Sequence, residues 1–143
     1  MSSTPDPIKL AARALRHRER SRQEIDDRLI KAGVGEAARA DALDTLERVG
    51  YVDDARFALA RAEALAGRGF GDTAIRADLE QHGLAAEAVA TALVELVPEA
   101  ARALALVERL GRTPTVASRL ARKGFAEESL ETALGAELFG DGS

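Results

Sequence analysis

Apolar residues along this chain recur at spacings of three and four positions, which is the pattern of one buried face on a helix. The pattern occurs three times: the step from Leu29 to Leu79 is 50 residues, and the step from Leu79 to Leu120 is 41. These two shifts bring further positions into register without a gap inside the unit: Ile25, Ile75 and Val116; Gly33, Gly83 and Gly124; Val34, Leu84 and Phe125; Leu43, Leu93 and Leu134; Leu15, Leu65 and Leu106. Periods in this range are typical of stacked units, each too small to bury a core alone.

Each copy predicts three short helices. Ser21 with Glu24 matches a capping box, Gly33 is a helix stop, and Thr113-Pro114 is a second strong helix start. The nine predicted helices span residues 8–17, 21–33, 36–48, 54–66, 72–83, 87–97, 99–110, 113–124 and 126–138. No segment alternates with period two for long enough to predict a strand. The expected fold is all-α: three tandem three-helix repeats in an elongated, curved array, with units at 1–50, 51–97 and 98–143.

The junction between the first two copies is longer than the next one. Leu43 and Leu65 are 22 positions apart, whereas Leu93 and Leu106 are 13 apart, so the first junction has nine additional residues. The segment that carries them includes the only tyrosine of the chain. An insertion confined to one junction can serve function without disturbing the repeat. The positions of interest there are Gly50, Tyr51, Asp53, Asp54, Arg56 and Phe57.

The other interpretation of this segment is structural, and we favour it for Tyr51, Val52 and Phe57 but not for Asp53 and Arg56. Asp53 can cap the helix that follows, and Asp54 suits the positive end of that helix. Tyr51 and Phe57 can seal the first two units together.

Charge is distributed unevenly, although the net charge is only −4. Residues 1–22 carry six basic and two acidic side chains, residues 100–125 carry six and one, and residues 36–99 carry six basic and thirteen acidic ones. Two basic ends therefore flank an acidic middle, either as solvated helix faces or as a surface for a charged partner. The candidate partner-binding residues are Arg16, Arg18, Arg20, Arg22, Arg119, Arg122 and Lys123.

One position departs from the repeat. Arg39 occupies a column that holds Val89 and Leu130 in the other copies. We expect the third helix of the first unit to pack less tightly there, or to shift by one residue so that Ala40 faces inward.

The sequence offers little for catalysis. It has no cysteine and only two histidines, His17 and His82, of which we expect His82 to be exposed. We find no metal-ligand spacing and no phosphate-binding glycine loop after a strand, so we expect no enzyme, cofactor or metal. Without a signal peptide or a bilayer-spanning apolar run, we expect a soluble cytoplasmic protein. Without a heptad seam, we expect a monomer.

Three segments resemble landmarks of the RecX family of recombinase regulators: Arg18–Glu24, Gly50–Ala58 and Lys123–Phe125. The resemblance covers nearly the whole chain. It implies a protein that is not an enzyme, that binds the RecA recombinase and its filament on single-stranded DNA, and that hinders ATP hydrolysis, strand exchange and co-protease activity. DNA repair and the SOS response would thereby be tuned.

Two alternatives remain. The arginines between residues 13 and 22 could contact DNA phosphates directly, although the acidic total argues against high affinity and no aromatic platform for bases is evident. A generic protein-binding scaffold would share the repeat but would leave the Gly50–Ala58 segment unexplained.

Overall fold

Nine helices account for most of residues 5–135, the part of the chain that the computed structural model describes. The helices are α1 Pro7–Leu15, α2 Arg22–Lys31, α3 Glu36–Arg48, α4 Asp54–Gly67, α5 Asp72–Gln81, α6 Ala86–Glu95, α7 Glu99–Leu110, α8 Pro114–Arg122 and α9 Glu127–Leu134. No strand occurs within this range. The predicted bounds hold to within two residues, except that the end predicted for the last helix lies outside the described residues. The all-α prediction is confirmed.

Helix ends form where the sequence places them. Ser21 Oγ accepts a hydrogen bond from the backbone N–H of Glu24 at 3.2 Å, and Glu24 Oε1 accepts one from the N–H of Ser21 at 3.1 Å. Gly33 ends the same helix with φ +85°, and the N–H of Val34 donates to the carbonyl of Leu29 at 3.0 Å. This is the predicted stop, in which a glycine in the left-handed region lets the next residue pack back on the helix.

Each unit buries its own apolar cluster. The aligned columns form these clusters: Leu29, Leu79 and Leu120 are all at most 1% exposed. The clusters of α1–α3, α4–α6 and α7–α9 are separate from one another, and Val52 belongs to the first of them. Each unit therefore has an apolar cluster of its own, and contacts of another kind join the units. The residue limits 1–50, 51–97 and 98–143 stay a prediction.

The first unit departs from the other two in its packing. Val89 and Leu130 are buried, whereas the Arg39 side chain is 20% exposed and donates from Nε to Asp26 Oδ1 at 2.8 Å. Ala40 is exposed, so the expected shift of register is wrong. The helix keeps its register because Asp26 pairs with the guanidinium at the position where the other units place an apolar side chain.

The first junction is made at the N-terminus of α2. Its first backbone N–H, from Arg22, donates to Asp54 Oδ1 at 2.8 Å, and Ser21 Oγ donates to the carbonyl of His82 at 2.8 Å. Asp54 is the first residue of α4, and His82 follows the last residue of α5. The leading N–H groups of a helix have no partner inside it, so a carboxylate from the next unit both satisfies one and suits the helix dipole.

The second junction repeats this arrangement one unit further along. The N–H of Asp72, first in α5, donates to Glu99 Oε2 at 2.6 Å, and Glu99 is the first residue of α7. The N–H of Gly71 donates to the carbonyl of Lys123 at 2.9 Å, and that of Thr73 to the carbonyl of Gly124 at 3.2 Å. In the first two units, the N-terminus of the second helix thus contacts the C-terminal end of the second helix of the following unit. The N-terminus of α2 contacts the end of α5, and the N-terminus of α5 contacts the end of α8.

Two of the stop glycines have a second role at these junctions. A Cβ on Gly124 would lie 2.7 Å from the Cβ and the backbone N of Ala74, and a Cβ on Gly83 would lie 2.5 Å from the Cβ of Gln23. A Cβ on Gly33 would meet nothing within 4 Å, because no unit docks on that end of α2. Gly83 and Gly124 therefore end a helix and, because they have no side chain, also allow the neighbouring unit to pack closely.

The nine additional residues in the chain between the first two units mostly lengthen α3 and α4. Relative to the second junction, three residues extend the end of α3, two extend the link, and four extend the start of α4. The segment is therefore an extension of two packed helices around a short turn, and not a long loop.

Substitution of two aligned glycines by alanine separates the two roles. Both Gly33→Ala and Gly124→Ala place a side chain at positive φ, which should destabilise the fold by about 1 kcal/mol. Gly124→Ala also drives a methyl group into α5, so we expect it to cost about 1–3 kcal/mol more. Urea unfolding of the two variants measures the difference. Equal losses would mean that α5 and α8 do not approach as closely as described.

Candidate partner-binding surface

Three of the candidate arginines at the first basic end already have partners inside the molecule. Arg18 Nη2 lies 2.9 Å from Glu24 Oε2, and Arg20 Nε donates to the carbonyl of Ala14 at 3.1 Å. Burial lowers the pKa of Arg20, and the cations of Arg18 and Arg28 lower it further. The predicted cations of this end are therefore partly used to fix the link between α1 and α2.

Arg22 belongs to α2 and binds the end of α3. Its guanidinium pairs with Glu47 and lies 3.1 Å from Asp44 Oδ1, and the hydrogen bond to Glu47 raises its pKa. Arg16, by contrast, is exposed and makes no ion pair with any residue in the range 5–135. Arg20 makes no ion pair either, but its guanidinium is held by the carbonyl of Ala14. Of the four candidates here, Arg16 is the one whose side chain has neither an ion pair nor a hydrogen bond in the described part of the chain.

The second basic end is more open. Arg119 and Arg122, in the last turn of α8, are exposed and form no ion pair within the described part of the chain. Lys123 Nζ instead donates to the carbonyl of Arg68 at 2.8 Å and lies 4.4 Å from the centre of the Phe70 ring. Lys123 thus secures the junction between the second and third units, while its two neighbours face solvent.

The segment of the first junction divides its residues between two roles. Val52 is buried in the first cluster and Phe57 in the second, while Asp53 caps α4 by accepting from the N–H of Arg56 at 3.0 Å. Tyr51 is 65% exposed, so the interpretation that it seals the two units is wrong.

Arg56 links this segment to the basic link before α2. Its Nη1 donates to the carbonyl of Gly50 at 3.0 Å, and its guanidinium pairs with Glu19, which raises its pKa. The α1–α2 link and the α3–α4 link are consequently neighbours. Composition alone did not reveal this pair, because Glu19 and Arg56 are 37 residues apart.

The sequence also missed the side chains that hold the junctions. Glu99 accepts from Asp72, from the N–H of Ala126 at 3.2 Å and from Ser129 Oγ at 2.6 Å. Arg102 Nη2 donates to Asp72 Oδ1 at 2.8 Å, with only 11% of its side chain exposed. Both α4 and α7 begin with an acidic residue, and this shared feature could have indicated the junction contacts. The additional residues of the first junction shift Asp54 relative to Glu99, so the two do not align when the repeats are superposed.

A charged cleft of about 260 Å³ lies beside the first junction, between α2, α3 and the start of α4. Arg22 and Arg39 line it together with Asp26, Glu36 and Asp54. Within residues 5–135 no group of three or more His, Asp or Glu side chains is placed to hold a metal ion. None of the helices there is both long enough and apolar enough to cross a bilayer.

His82 is not exposed as expected. Its side chain is 22% exposed, its ring centre lies 5.4 Å from that of Phe57, and its Nδ1 lies 2.8 Å from the carbonyl of Asp78. The backbone carbonyl of the same residue accepts from Ser21 Oγ, so His82 lies at the contact between the first two units.

Known proteins share both the sequence and the helical plan. Residues 53–93 match the family model described as RecX, second three-helix domain. A Regulatory protein RecX of Xanthomonas axonopodis pv. citri is 38% identical over 138 residues, which cover 89% of this chain and 85% of the relative. The chain belongs to the RecX family of regulatory proteins. A Regulatory protein RecX of Acidithiobacillus ferrooxidans is 34% identical over 139 residues, which cover 92% of this chain and 90% of the relative.

Crystal structures of RecX proteins share the fold. RecX from Lactobacillus salivarius superposes with a TM-score of 0.79 at 17% identity, covering 90% of this chain and 92% of its own. A second structure, titled regulatory protein RecX, gives a TM-score of 0.71 at 23% identity over 90% and 71% of the two chains. The three-helix repeat predicted from the sequence is thus a RecX fold, and the family resemblance is confirmed.

An ion pair between α4 and α5, next to the first junction, predicts that the stability of the fold depends on pH. Asp78 Oδ1 and Oδ2 accept from Arg61 Nε and Nη2, each at 2.8 Å. These hydrogen bonds lower the pKa of Asp78, against the opposing effect of burial. A carboxyl with a lowered folded-state pKa stabilises the fold above its unfolded pKa, and this stabilisation is lost as pH falls through the folded value.

We therefore expect Asp78→Asn to lower the free energy of unfolding by about 1 kcal/mol at pH 7. The difference in the free energy of unfolding between the variant and the unchanged protein should shrink below about pH 4. It should vanish once Asp78 of the unchanged protein is protonated in both the folded and the unfolded state. Urea unfolding over a pH series measures it. Glu80→Gln, an exposed neighbour on α5, is the matched control and should change little. A loss that is the same at pH 7 and in acid would contradict the assignment.

Proposed function

We propose that this protein is a non-enzymatic regulator that binds RecA and RecA filaments on single-stranded DNA in the cytoplasm. In this proposal it inhibits the recombinase, ATPase and co-protease activities of RecA and so tunes DNA repair and the SOS response. Membership of the RecX family, over 89% of the chain, is the observation that carries the proposal. The resemblance of Arg18–Glu24, Gly50–Ala58 and Lys123–Phe125 to family landmarks supports it at the level of residues.

The electrostatics of the chain are compatible with such a partner. Arg119 and Arg122 are exposed on α8 and make no ion pair in the described region. Arg16, near the start of the chain, is also exposed and makes no ion pair there. Exposed cations without partners steer association with a polyanionic filament and make it sensitive to salt. We propose these three as the principal contact residues. Arg18, Arg20, Arg22 and Lys123 contribute from positions that the fold already uses.

The test of function is the DNA-dependent ATP hydrolysis of RecA, with this protein titrated at sub-stoichiometric ratios. A gel shift on bare single-stranded DNA under the same conditions is run beside it. The expected result is strong inhibition at protein concentrations too low to bind much of the bare DNA. Inhibition that only follows sequestration of DNA would favour a direct DNA-binding protein, and no inhibition would leave a scaffold with another partner.

Charge reversal at α8 tests the contact residues. We expect Arg119→Glu with Arg122→Glu to weaken binding to RecA-coated strands about tenfold at moderate salt, because two attractive charges become repulsive. The helical content should be unchanged and the melting temperature should fall only slightly, since neither side chain has an ion pair in the described structure and the change costs only the interaction with the C-terminal end of α8. The N-terminal arginines are less suitable for this test, because reversing them would also break contacts that fix the fold.

Arg28→Glu with Arg76→Glu is the matched control, since both arginines are exposed and the change in net charge is the same. It should alter binding by no more than about twofold. Equal losses in the two double variants would show that overall charge, and not the end of α8, controls binding.

A further inference from the structure

Tyr51 is an exposed aromatic side chain, whereas the phenylalanine rings within residues 5–135 are covered. Of the aromatic rings in the described residues, Phe57 and Phe125 are buried, and Phe70 is half-buried under Lys123. Tyr51 is 65% exposed and packs neither unit against the other. Nothing in the packing of the fold therefore accounts for an aromatic ring at this position.

The backbone holds Tyr51 rigidly in this exposed position. Gly50 turns the chain at φ +85°, and the N–H of Tyr51 donates to the carbonyl of Leu46 at 2.9 Å. The next residue, Val52, is 1% exposed and anchors the turn in the first cluster. A ring fixed between a helix end and a buried anchor loses little conformational entropy when a flat ligand stacks on it.

Arg56 brings the basic link of residues 16–20 next to the turn that carries this ring. Its guanidinium binds the carbonyl of Gly50 and the carboxylate of Glu19 together. The acidic side chains of these segments are held by two other arginines: Glu19 and Asp53 share Arg56, and Asp44 and Glu47 share Arg22.

Two exposed arginines lie on the same chain segments. Arg48, at the end of α3, and Arg16, on the basic link, make no ion pair within residues 5–135. Both side chains are thus free to bind phosphates, while the acidic side chains of these segments are held by other arginines.

We propose that Tyr51, with Arg16 and Arg48, forms a contact site for unpaired nucleobases and their phosphates. Stacking of a base on an exposed aromatic ring, with cations along the backbone, is how proteins hold single strands without reading sequence. A protein partner would fit less well, because Val49 is the one other exposed apolar side chain from the end of α3 to the start of α4. The choice of DNA over RNA as the source of the bases rests on the proposed function.

The chain carries its own probe for this site, since Tyr51 is its only tyrosine and it has no tryptophan. Tyrosine emission of the unchanged full-length protein is recorded while an oligothymidylate of about 15 nucleotides is added at low salt. We expect the emission to be quenched. An abasic strand of the same length has the same phosphates and no bases, and it should not quench.

Two variants separate the ring from its hydroxyl group, with binding followed by the anisotropy of labelled oligothymidylate. Tyr51→Ala should weaken binding about tenfold, and Tyr51→Phe should stay within about twofold of the unchanged protein. Circular dichroism should show the same helical content and melting for both, because the side chain lies in solvent.

Absence of quenching, equal quenching by the abasic strand, or undiminished binding by Tyr51→Ala would each overturn the site. If Tyr51→Ala bound the oligonucleotide normally but bound RecA-coated strands poorly, the ring would be a protein contact instead. Equal or tighter binding of oligouridylate would overturn the choice of DNA. None of the measurements on bare strands contains RecA, so their failure is distinguishable from failure of the proposed function.

Discussion

The structure depends on a hydrogen bond between the first backbone N–H of one helix and a carboxylate on the next unit. Arg22 donates to Asp54 at the first junction, and Asp72 donates to Glu99 at the second. Both donors are groups that a helix cannot satisfy internally, and both acceptors open the first helix of the following unit. Since the three apolar clusters are separate, these polar contacts and the close backbone approach beside them set how the units are joined.

The same constraint explains why the two ends of the chain differ. The stop glycines of α5 and α8 have a neighbouring helix against them, whereas Gly33 does not. At the other end, Pro114 stands in the column of Gln23 and Thr73 and has no N–H with which to dock. The array therefore has two unlike ends, and the exposed arginines of α8 lie in the last turn of that helix, beside the residues that contact α5.

Helix positions, caps and core columns could be predicted from the sequence, because they depend on residues within one helix or one turn. The capping box at Ser21 and the glycine stops are of this kind. Contacts between distant residues could not be predicted: Glu19 with Arg56 and Glu99 with Asp72 follow from the way the units stack. Tyr51 was misjudged for the same reason, since an aromatic residue between two units suggests a seal, and only the turn at Gly50 directs it outward.

Hydrogen exchange of individual backbone amides tests the junction most directly. The amides of Gly71 and Asp72 lie at the start of α5, and the aligned amides of Arg112 and Thr113 lie at the start of α8, where the described residues offer them no acceptor. The account predicts slow exchange for the first pair and fast exchange for the second. Equally fast exchange at both helix starts would contradict it, because the second and third units would then not be joined through the N-terminus of α5.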